Sequence, residues 1–183
     1  MRLRILEKEF GAQLSLSWRA FLLRPSAEQR PIEKFRRYTR SWQRVAEDTP
    51  AGEFRQWATE ERPPTHSVPP HLVAKAAEQL GKEAFHAVHD ALMKAYFFDN
   101  RDVSAEDTLK NIWASCGLPD AEFARSRDPE LLETVLREHN EALAAGASGA
   151  PAFRMADQDV AVMGALPVAT LQRWVSRALA KDI

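Results

Sequence analysis

One short stretch of this chain restricts its fold more than any other. Between Gln13 and Leu22, apolar residues occupy the even-numbered positions, and Ser15, Ser17 and Arg19 lie between them. A period of two predicts a β-strand with one buried face. Proline at position 25 cannot continue a hydrogen-bonded ladder, so the predicted strand ends just before it. The chain is therefore not expected to be all-helical.

Helical periodicity dominates the rest of the sequence. In chain order it predicts helices over 1–10, 31–46, 69–80, 83–98 and 104–116, a short helix from 119, and helices over 128–145 and 166–179. Their limits follow from the apolar spacing and from glycine, proline and capping residues, with Ser104 and Asp128 as N-caps. The proline-dense stretch 60–70 predicts a loop, and residues 152–156 and 160–163 predict a hairpin.

The composition describes an ordinary globular domain. The chain has 183 residues, of which 45% are hydrophobic and 28% are charged, and its net charge is -1. A chain of this length can bury a core without disulfides. Basic residues crowd the first 44 positions, but Glu28 and Glu33 are interspersed among them. We interpret this region as a solvated face rather than as a nucleic-acid surface.

The N-terminus and the cysteine content bear on location. No apolar run is long enough to span a membrane, and the first residues carry charges where a signal peptide is apolar. Cys116 is the one cysteine of the sequence, which excludes a disulfide within the chain and agrees with a reducing compartment. We therefore predict a cytoplasmic protein without a nucleic-acid or membrane partner.

Few residues are candidates for chemistry. Cys116 is predicted at the C-terminal end of a helix, where the helix dipole disfavours a thiolate, and this favours a structural role. His86 and His89 share one helix, but a metal site needs three or four ligands and no other ligand matches their spacing. His66 and His71 flank the proline-rich loop and could face either a pocket or solvent. No metal site is predicted.

A loop of small residues precedes the predicted hairpin, with the sequence GASGAPAF ending at Phe153. Its Pro151 lies at the start of a strand, which is one of the few places where a β-sheet tolerates proline. An X-Pro bond favours the trans form by only about 0.5 to 1 kcal/mol, so a tight turn can select the cis form. Taken alone, the residues favour a trans proline in an ordinary loop.

Five stretches, in this order, resemble the DsbA family of thioredoxin-like disulfide oxidoreductases, especially its polyketide-biosynthesis-associated branch. They are LSLSWRAFLLRP, PPTHSVPPHLVAKAAEQLG, AFHAVHDALMKAYFFDNRDVSAEDTLKNIWASCGL, GASGAPAFRM and VAVMGALPVATLQRWV. In that family they correspond to the second strand, the start and body of a helical insertion, the cis-proline loop, and the last hairpin and helix. Kappa-type glutathione transferases and 2-hydroxychromene-2-carboxylate isomerases share this fold and its insertion.

The resemblance implies an α/β, thioredoxin-like fold with a large all-helical insertion. It divides the chain into a thioredoxin-like domain of residues 1–30 and 146–183 and a helical insertion subdomain of residues 31–145. It also implies that Pro151 is the cis-proline and that Ala150 presents its backbone to an extended substrate or to glutathione. Ala150 and Pro151 are therefore the candidate substrate-binding residues, and no catalytic residue is assigned.

The same resemblance exposes a gap. The Cys-x-x-Cys motif of the family lies upstream of the helix that opens this chain, and the first strand, at the centre of the sheet, is missing with it. The sheet could be completed by pairing 14–22 with 152–156, by a strand of a partner chain as in a homodimer, or by a strand encoded upstream. The uncapped helix at Met1 favours a start that is set too late.

Three functions follow from the resemblance. The first is a thiol-disulfide oxidoreductase acting on protein or peptide thiols and disulfides, inactive as given because the dithiol is absent. The second is a non-redox module that binds a peptide or glutathione. The third is a relative of the glutathione-dependent isomerases and transferases. Glutathione, as a co-substrate, is the one small molecule expected, and no other cofactor is predicted.

Overall fold

Helices dominate the protein, whose computed structural model describes residues 2–43 and 54–180. In chain order the helices are α1 (Arg2–Phe10), α2 (Ile32–Thr39), α3 (Val68–Gln79), α4 (Lys82–Phe97), α5 (Glu106–Ser115), α6 (Pro129–Ala144) and α7 (Val168–Leu179). The strands are β1 (Ala152–Phe153) and β2 (Val162–Met163), and short 3-10 helices cover Gly11–Gln13 and Asp120–Arg127. None of the helices in these two ranges is long and apolar enough to cross a membrane.

Helices α3 to α6 form a block around one apolar core. Its buried side chains come from every helix of the block and include Val73, Val88, Leu109, Trp113 and Leu131. The indole Nε1 of Trp113 donates a hydrogen bond to a backbone carbonyl 3.0 Å away, so the buried ring has no unpaired polar atom. This block lies within residues 31–145, the stretch predicted as the all-helical insertion.

An aromatic cluster attaches α2 to the same block. Phe35 of α2 lies with its ring centroid 5.0 Å from that of Trp57, and Trp42 lies 5.1 Å from Tyr96 of α4. All these contacts are edge-to-face, the favourable geometry for aromatic pairs. The predicted helix 31–46 ends earlier in the structure, at Thr39, and the last residues of the prediction lie outside the described residues.

The first and last helices pack against each other. Leu6 of α1 and Leu171 of α7 are both buried, and the two helices are in contact. At the surface, Gln172 Nε2 donates to Glu9 Oε2 at 2.6 Å. Helix α7 also follows directly on the hairpin, so α1 is positioned beside the residues that follow β2.

The hairpin is shorter than predicted. Ala152 pairs with Met163 and Phe153 with Val162 in antiparallel register, whereas residues 154–161 form no ladder. Most of these connecting residues are exposed, so they have no buried face to hold a longer pair of strands together. A hydrogen bond from Ala161 N to Ala145 O, 2.9 Å long, fixes the hairpin to the end of α6.

The predicted strand 13–22 has the expected buried and exposed faces, but it does not pair with another strand. Burial alternates as expected: Ala20 and Leu22 are 3% and 2% exposed, while Ser15, Ser17 and Arg19 are exposed. The 14–23 segment therefore runs as an extended chain. Among the described residues, however, β1 and β2 are the only hydrogen-bonded strands. Pairing of 14–22 with 152–156, one of the three expected ways to complete the sheet, does not occur.

Helix α3 begins at Val68, one residue before the predicted start at 69, so the loop predicted over 60–70 ends at Ser67. The first turn tolerates Pro69 because its N–H groups have no intrahelical partner. One further local prediction is wrong. Ser104 does not cap α5, whose N-cap is Ala105. The Ser104 hydroxyl instead accepts a hydrogen bond from Thr65 N at 2.9 Å, which fixes the proline-rich loop.

Candidate functional site

Ala150 and Pro151, the predicted substrate-binding residues, are both exposed at the end of the small-residue loop. The peptide bond between them is cis. The carbonyl of Pro151 accepts a hydrogen bond from Gly164 N at 2.9 Å, which fixes the loop to the residue after β2. Since β1 pairs only with β2 among the described residues, the other edge of the strand at Ala152 is open.

The loop leaves α6 through a defined helix end. Ala147 N donates to Ala142 O and Gly146 N donates to Leu143 O, both at 2.9 Å. This pair of bonds is a Schellman motif, and it needs a left-handed residue after the helix. Gly146 supplies it with a φ of +84°. Because Ala147 is buried, the loop starts from a fixed point, and Ser148, Ala150 and Pro151 beyond it are exposed.

The start of α1 lies on the same side of the molecule. The guanidinium of Arg2 donates to Ala165 O at 2.6 Å and to Leu166 O at 3.0 Å. These two carbonyls follow Gly164, the residue bonded to Pro151, so the N-terminal end of α1 is close to the candidate loop. A helix N-terminus favours an anion such as a thiolate. The candidate loop thus lies close to an electropositive helix end.

A buried ion pair that the sequence reading missed holds the 14–23 segment. Lys75 of α3 and Glu138 of α6 are 8% and 4% exposed, and Lys75 Nζ lies 2.8 Å from Glu138 Oε1. Lys75 Nζ also donates to Trp18 O at 3.2 Å, and Glu138 Oε2 accepts from Ala20 N at 2.7 Å. Two helices therefore take the place of a neighbouring strand along this part of the backbone.

Two histidines flank this ion pair. His139 Nδ1 accepts a hydrogen bond from Leu22 N at 3.2 Å. His71 is one of the two histidines whose role was left open; its Nδ1 donates to Ser67 O at 2.9 Å, because a carbonyl can only accept. Burial lowers the pKa of His71, and Lys75 adds to this effect while Glu138 opposes it. Both histidines serve the packing around the 14–23 segment.

The signal for these residues was present but weak. Glu138 stands in the buried stripe of α6 with Leu131 and Val135, at helical spacing. Lys75 stands likewise between Val73 and Ala76 in α3. A charged residue inside an apolar stripe indicates a buried partner of opposite charge, since an unpaired buried charge is strongly unfavourable.

His86 and His89 lie in a charged cluster between α1 and α4. His86 Nε2 lies 3.8 Å from Glu7 Oε1, and His89 packs on Trp18 with 4.7 Å between ring centroids. Burial lowers the pKa of both histidines. Lys82 Nζ lies 2.9 Å from Glu7 Oε1. Within residues 2–43 and 54–180, no group of three or more acidic, histidine or cysteine side chains could hold a metal.

Cys116 and His66 lie apart from the candidate loop. Cys116 follows the C-terminal end of α5, as predicted, and its half-buried thiol has a pKa raised by burial. Its side chain packs against the core of the helical block. His66 Nδ1 is 2.8 Å from the Thr65 hydroxyl in the proline-rich loop. Neither residue approaches Pro151 through any described contact.

The order of these parts defines the class of protein. The chain has a thioredoxin-like fold with a helical insertion. Its parts follow in the order of that fold: an initial helix, an extended segment, a helical block, a loop with an exposed proline, a hairpin, and a closing helix packed on the first one. The chain matches the family described as DSBA-like thioredoxin domain over residues 1–176, and it belongs to that family.

A solved structure agrees with this assignment. It is the crystal structure of a candidate protein disulfide isomerase from Nitrosomonas europaea, to which the chain is similar with a TM-score of 0.81 and 17% sequence identity. The match covers 98% of this chain and 89% of the other. At this level of identity the likeness concerns the fold. No protein of curated function matched the sequence.

Proposed function

We propose that this chain binds an extended peptide carrying a thiol or a disulfide at Ala150 and Pro151, as the substrate-binding part of a thiol-disulfide oxidoreductase. The observation that carries the proposal is the exposed backbone of this loop, which lies close to the N-terminal end of α1. An extended peptide can bind such a backbone segment through hydrogen bonds in a β-like register. The small side chain of Ala150 leaves the approach to the backbone free.

The chemistry needs thiols that this sequence does not contain. In the exchange step, a thiolate attacks one sulfur of the substrate disulfide, a new sulfur–sulfur bond forms, and the other sulfur leaves as a thiolate. A second thiol then resolves the mixed disulfide and releases the reduced substrate. The sequence holds one cysteine, Cys116, inside the helical block. We therefore propose that the chain as given binds its substrate without reducing it.

The family resemblance implies a dithiol at the N-terminal end of the first helix. Here the first described helix is α1, whose start lies near the Pro151 loop through Arg2, Ala165 and Gly164. A dithiol supplied at that end would meet a peptide bound beside Pro151. Membership also makes glutathione the second candidate ligand, because it is itself a short thiol peptide. Both ligands agree with the reducing, cytoplasmic setting that the single cysteine predicts.

The test combines binding and exchange. Binding of a disulfide-containing peptide and of glutathione is measured by calorimetry on the chain as given, on Ala150→Leu and on Ala156→Leu. Ala156 is also exposed, in the turn that follows β1, so it is the matched control. We expect Ala150→Leu alone to weaken binding, by about tenfold or more, because the larger side chain blocks the approach to the loop backbone. Equal binding by all three proteins would contradict the proposal.

The redox part is tested separately by disulfide exchange on the chain as given and on a version extended upstream to the next in-frame start. Activity in the extended version alone supports the oxidoreductase. Binding without activity in either version supports a non-redox module. Exchange activity in the chain as given, and its loss in Cys116→Ser, would overturn the assignment of Cys116 to the core.

A further inference from the structure

Helix α2 carries a row of cations without acid partners. Lys34, Arg37 and Arg40, the last at the C-cap, are exposed. Among the residues that the structure describes, none of these three side chains has an ion pair or a hydrogen bond. Successive members of this α2 cation row are three residues apart, so they are neighbours on the helix surface and repel one another. No contact within the described chain offsets this repulsion.

The acids near these cations in the sequence and in space are engaged elsewhere. Glu28 pairs with Arg24 at 3.1 Å. Glu33 and Glu60 both pair with Arg36, at 2.9 and 2.6 Å. In the helical block, by contrast, each lysine and arginine between residues 68 and 145 lies in an ion pair with an acid. The α2 cation row therefore differs from the charged surface of the block beside it.

The packing of α2 holds the cation row outward. Phe35 and Thr39 are buried, at 2% and 0% exposure, and Thr39 Oγ1 accepts a hydrogen bond from Trp57 N at 3.0 Å. With about 3.6 residues per turn, Arg37 lies on the opposite face of the helix from Phe35 and Thr39. The α2 cation row cannot turn inward unless this packing is broken.

Tyr38 adds an aromatic surface beside the row. It is 62% exposed, and its ring stacks on that of Phe35 with 6.0 Å between the centroids. Tyr38 lies four residues after Lys34, so the two side chains are neighbours on the helix surface. Tyrosine and arginine are both enriched at protein–protein interfaces, where they contribute most to affinity. The outer face of α2 thus has the composition of an interface.

We propose that the α2 cation row, together with Tyr38, is a docking surface for an acidic helix of a partner protein. Three residues of an α-helix rise about 4.5 Å, so acidic side chains three or four residues apart on a partner helix match the spacing of the row. Complementary charges orient the two surfaces, and the tyrosine ring supplies an apolar contact between them. The proposal uses no residue of the Pro151 loop and is independent of the proposed function.

The row is too short to favour a nucleic acid. Its three cations span about 9 Å of the helix axis, which matches three carboxylates on one helix face. Strong binding to a phosphate backbone draws on more contacts, about 6 to 10. The side chains of Glu33 and Glu60, which adjoin the row, are 70% and 90% exposed and repel a long polyanion. The whole chain also has a net charge of -1. A short acidic segment fits this surface better than a polyphosphate.

Fluorescence anisotropy with a labelled model peptide tests this surface on the full chain. The probe is an alanine-based helix of about 20 residues, with glutamates every three or four positions along one face and leucines beside them. Two triple variants each remove three exposed cations, the row itself in one and residues of α1 and α7 in the other. They are Lys34→Ala with Arg37→Ala and Arg40→Ala, and Lys8→Ala with Arg173→Ala and Arg177→Ala. We expect the first to bind the probe about tenfold more weakly and the second to bind like the wild type, with wild-type binding weakened by salt.

Tyr38→Ala tests the apolar part of the surface. We expect it to weaken binding of the probe about threefold, both at low salt and at about 1 M salt, because an apolar contact is not screened. Tyr38→Phe keeps the ring and should bind like the wild type. All the substituted side chains are exposed, so the circular dichroism spectra should not change.

Two further probes decide the class of partner. One is the same peptide with glutamines in place of the glutamates, and the other is a single-stranded oligonucleotide with the same number of negative charges. Equal binding of the two peptides, an equal loss in both triple variants, or no binding of the acidic peptide at about 1 mM would overturn the proposal. So would tighter binding of the oligonucleotide that is lost in the α2 variant, since the row would then be a nucleic-acid surface.

Discussion

Lys75 and Glu138 form an ion pair in which both side chains are almost completely buried, at 8% and 4% exposure. Each also binds the backbone of the 14–23 segment, Lys75 through Trp18 O and Glu138 through Ala20 N. Arg19 lies 3.5 Å from the same carboxylate at the surface. Three parts of the chain, distant in sequence, therefore depend on one pair of charges.

Replacing Glu138 by leucine should be strongly destabilising. The change leaves the Lys75 ammonium buried without its partner and Ala20 N without its acceptor, and breaking a buried ion pair costs about 3 to 5 kcal/mol. Denaturant unfolding measures the free energy of unfolding. Glu133→Leu is the control, because Glu133 is an exposed acid on the same helix. Equal stability of the two variants would show that the pair contributes nothing.

The double variant Lys75→Met with Glu138→Leu separates the pair from its surroundings. Removing both charges eliminates the uncompensated ammonium, so part of the lost stability should return relative to Glu138→Leu. The hydrogen bond to Ala20 N stays broken. We therefore expect the double variant to lie between the single variant and the wild type. Simple addition of the two single effects would indicate that Lys75 and Glu138 are not coupled.

The stability of the protein should fall as the pH is lowered below about 6.5, the ordinary pKa of histidine. Burial lowers the pKa of His71 in the folded state, so the unfolded chain takes up its proton first as the pH falls. More protons then bind the unfolded state, and the free energy of unfolding decreases with decreasing pH. His86 and His89, whose pKa values are also lowered by burial, act in the same direction.

His71→Asn isolates the contribution of His71 to the pH dependence of the free energy of unfolding. The asparagine amide can still donate to Ser67 O, but it cannot take up a proton. We expect a flatter dependence of the free energy of unfolding between about pH 7 and pH 5. Chemical denaturation across this range gives the curve, and an NMR titration of the His71 ring reports its pKa directly. An unchanged curve would show that His71 titrates alike in the folded and unfolded states.

Asp128 caps α6 as the sequence predicts, with Oδ1 accepting from Glu130 N at 2.9 Å. Asp128→Ala should lower the free energy of unfolding by about 1 kcal/mol, the usual contribution of an N-cap. The matched control is Asp120→Ala, since the 3-10 helix at Asp120 has no side-chain cap bond. A loss of the same size in both variants would trace the effect to charge rather than to capping.

Cys116 should react slowly with disulfide and maleimide reagents in the folded protein. Its thiol is half-buried and burial raises its pKa, so little thiolate is present at neutral pH. We expect a rate about tenfold or more below that of glutathione, and a normal rate in urea. Stopped-flow release of a chromogenic thiol measures both. A fast reaction in the native protein would identify Cys116 as a functional nucleophile.

The sequence correctly predicted those features of the structure that depend only on residues close together in the chain. The Asp128 cap with Pro129 and the helix end at Gly117 depend on residues within one turn of the chain, and the structure shows both. The alternation of buried and exposed residues between Leu14 and Leu22 is equally local, because it follows from the pleat of an extended chain. The order of such patterns along the chain was enough to predict the fold class and the family.

Pairing could not be predicted in this way. Leu22 N donates its hydrogen bond to His139 instead of to a neighbouring strand, and His139 lies 117 positions away in the sequence. Local sequence patterns do not contain this information. Ser104 fails as a cap for the same reason, since Thr65 N competes for its hydroxyl across the fold. The division at residues 30/31 and 145/146 and the binding role of Ala150 and Pro151 remain predictions.

The capping of the 14–23 segment by helix side chains joins folding units that lie far apart in the sequence. The segment cannot leave its place without exposing the carboxylate of Glu138 and the ammonium of Lys75. The helical block, in turn, cannot open without releasing the segment. We therefore expect amide exchange at Ala20 and Leu22 to be as slow as in the centre of α6, so that a stretch without a strand partner exchanges like the core.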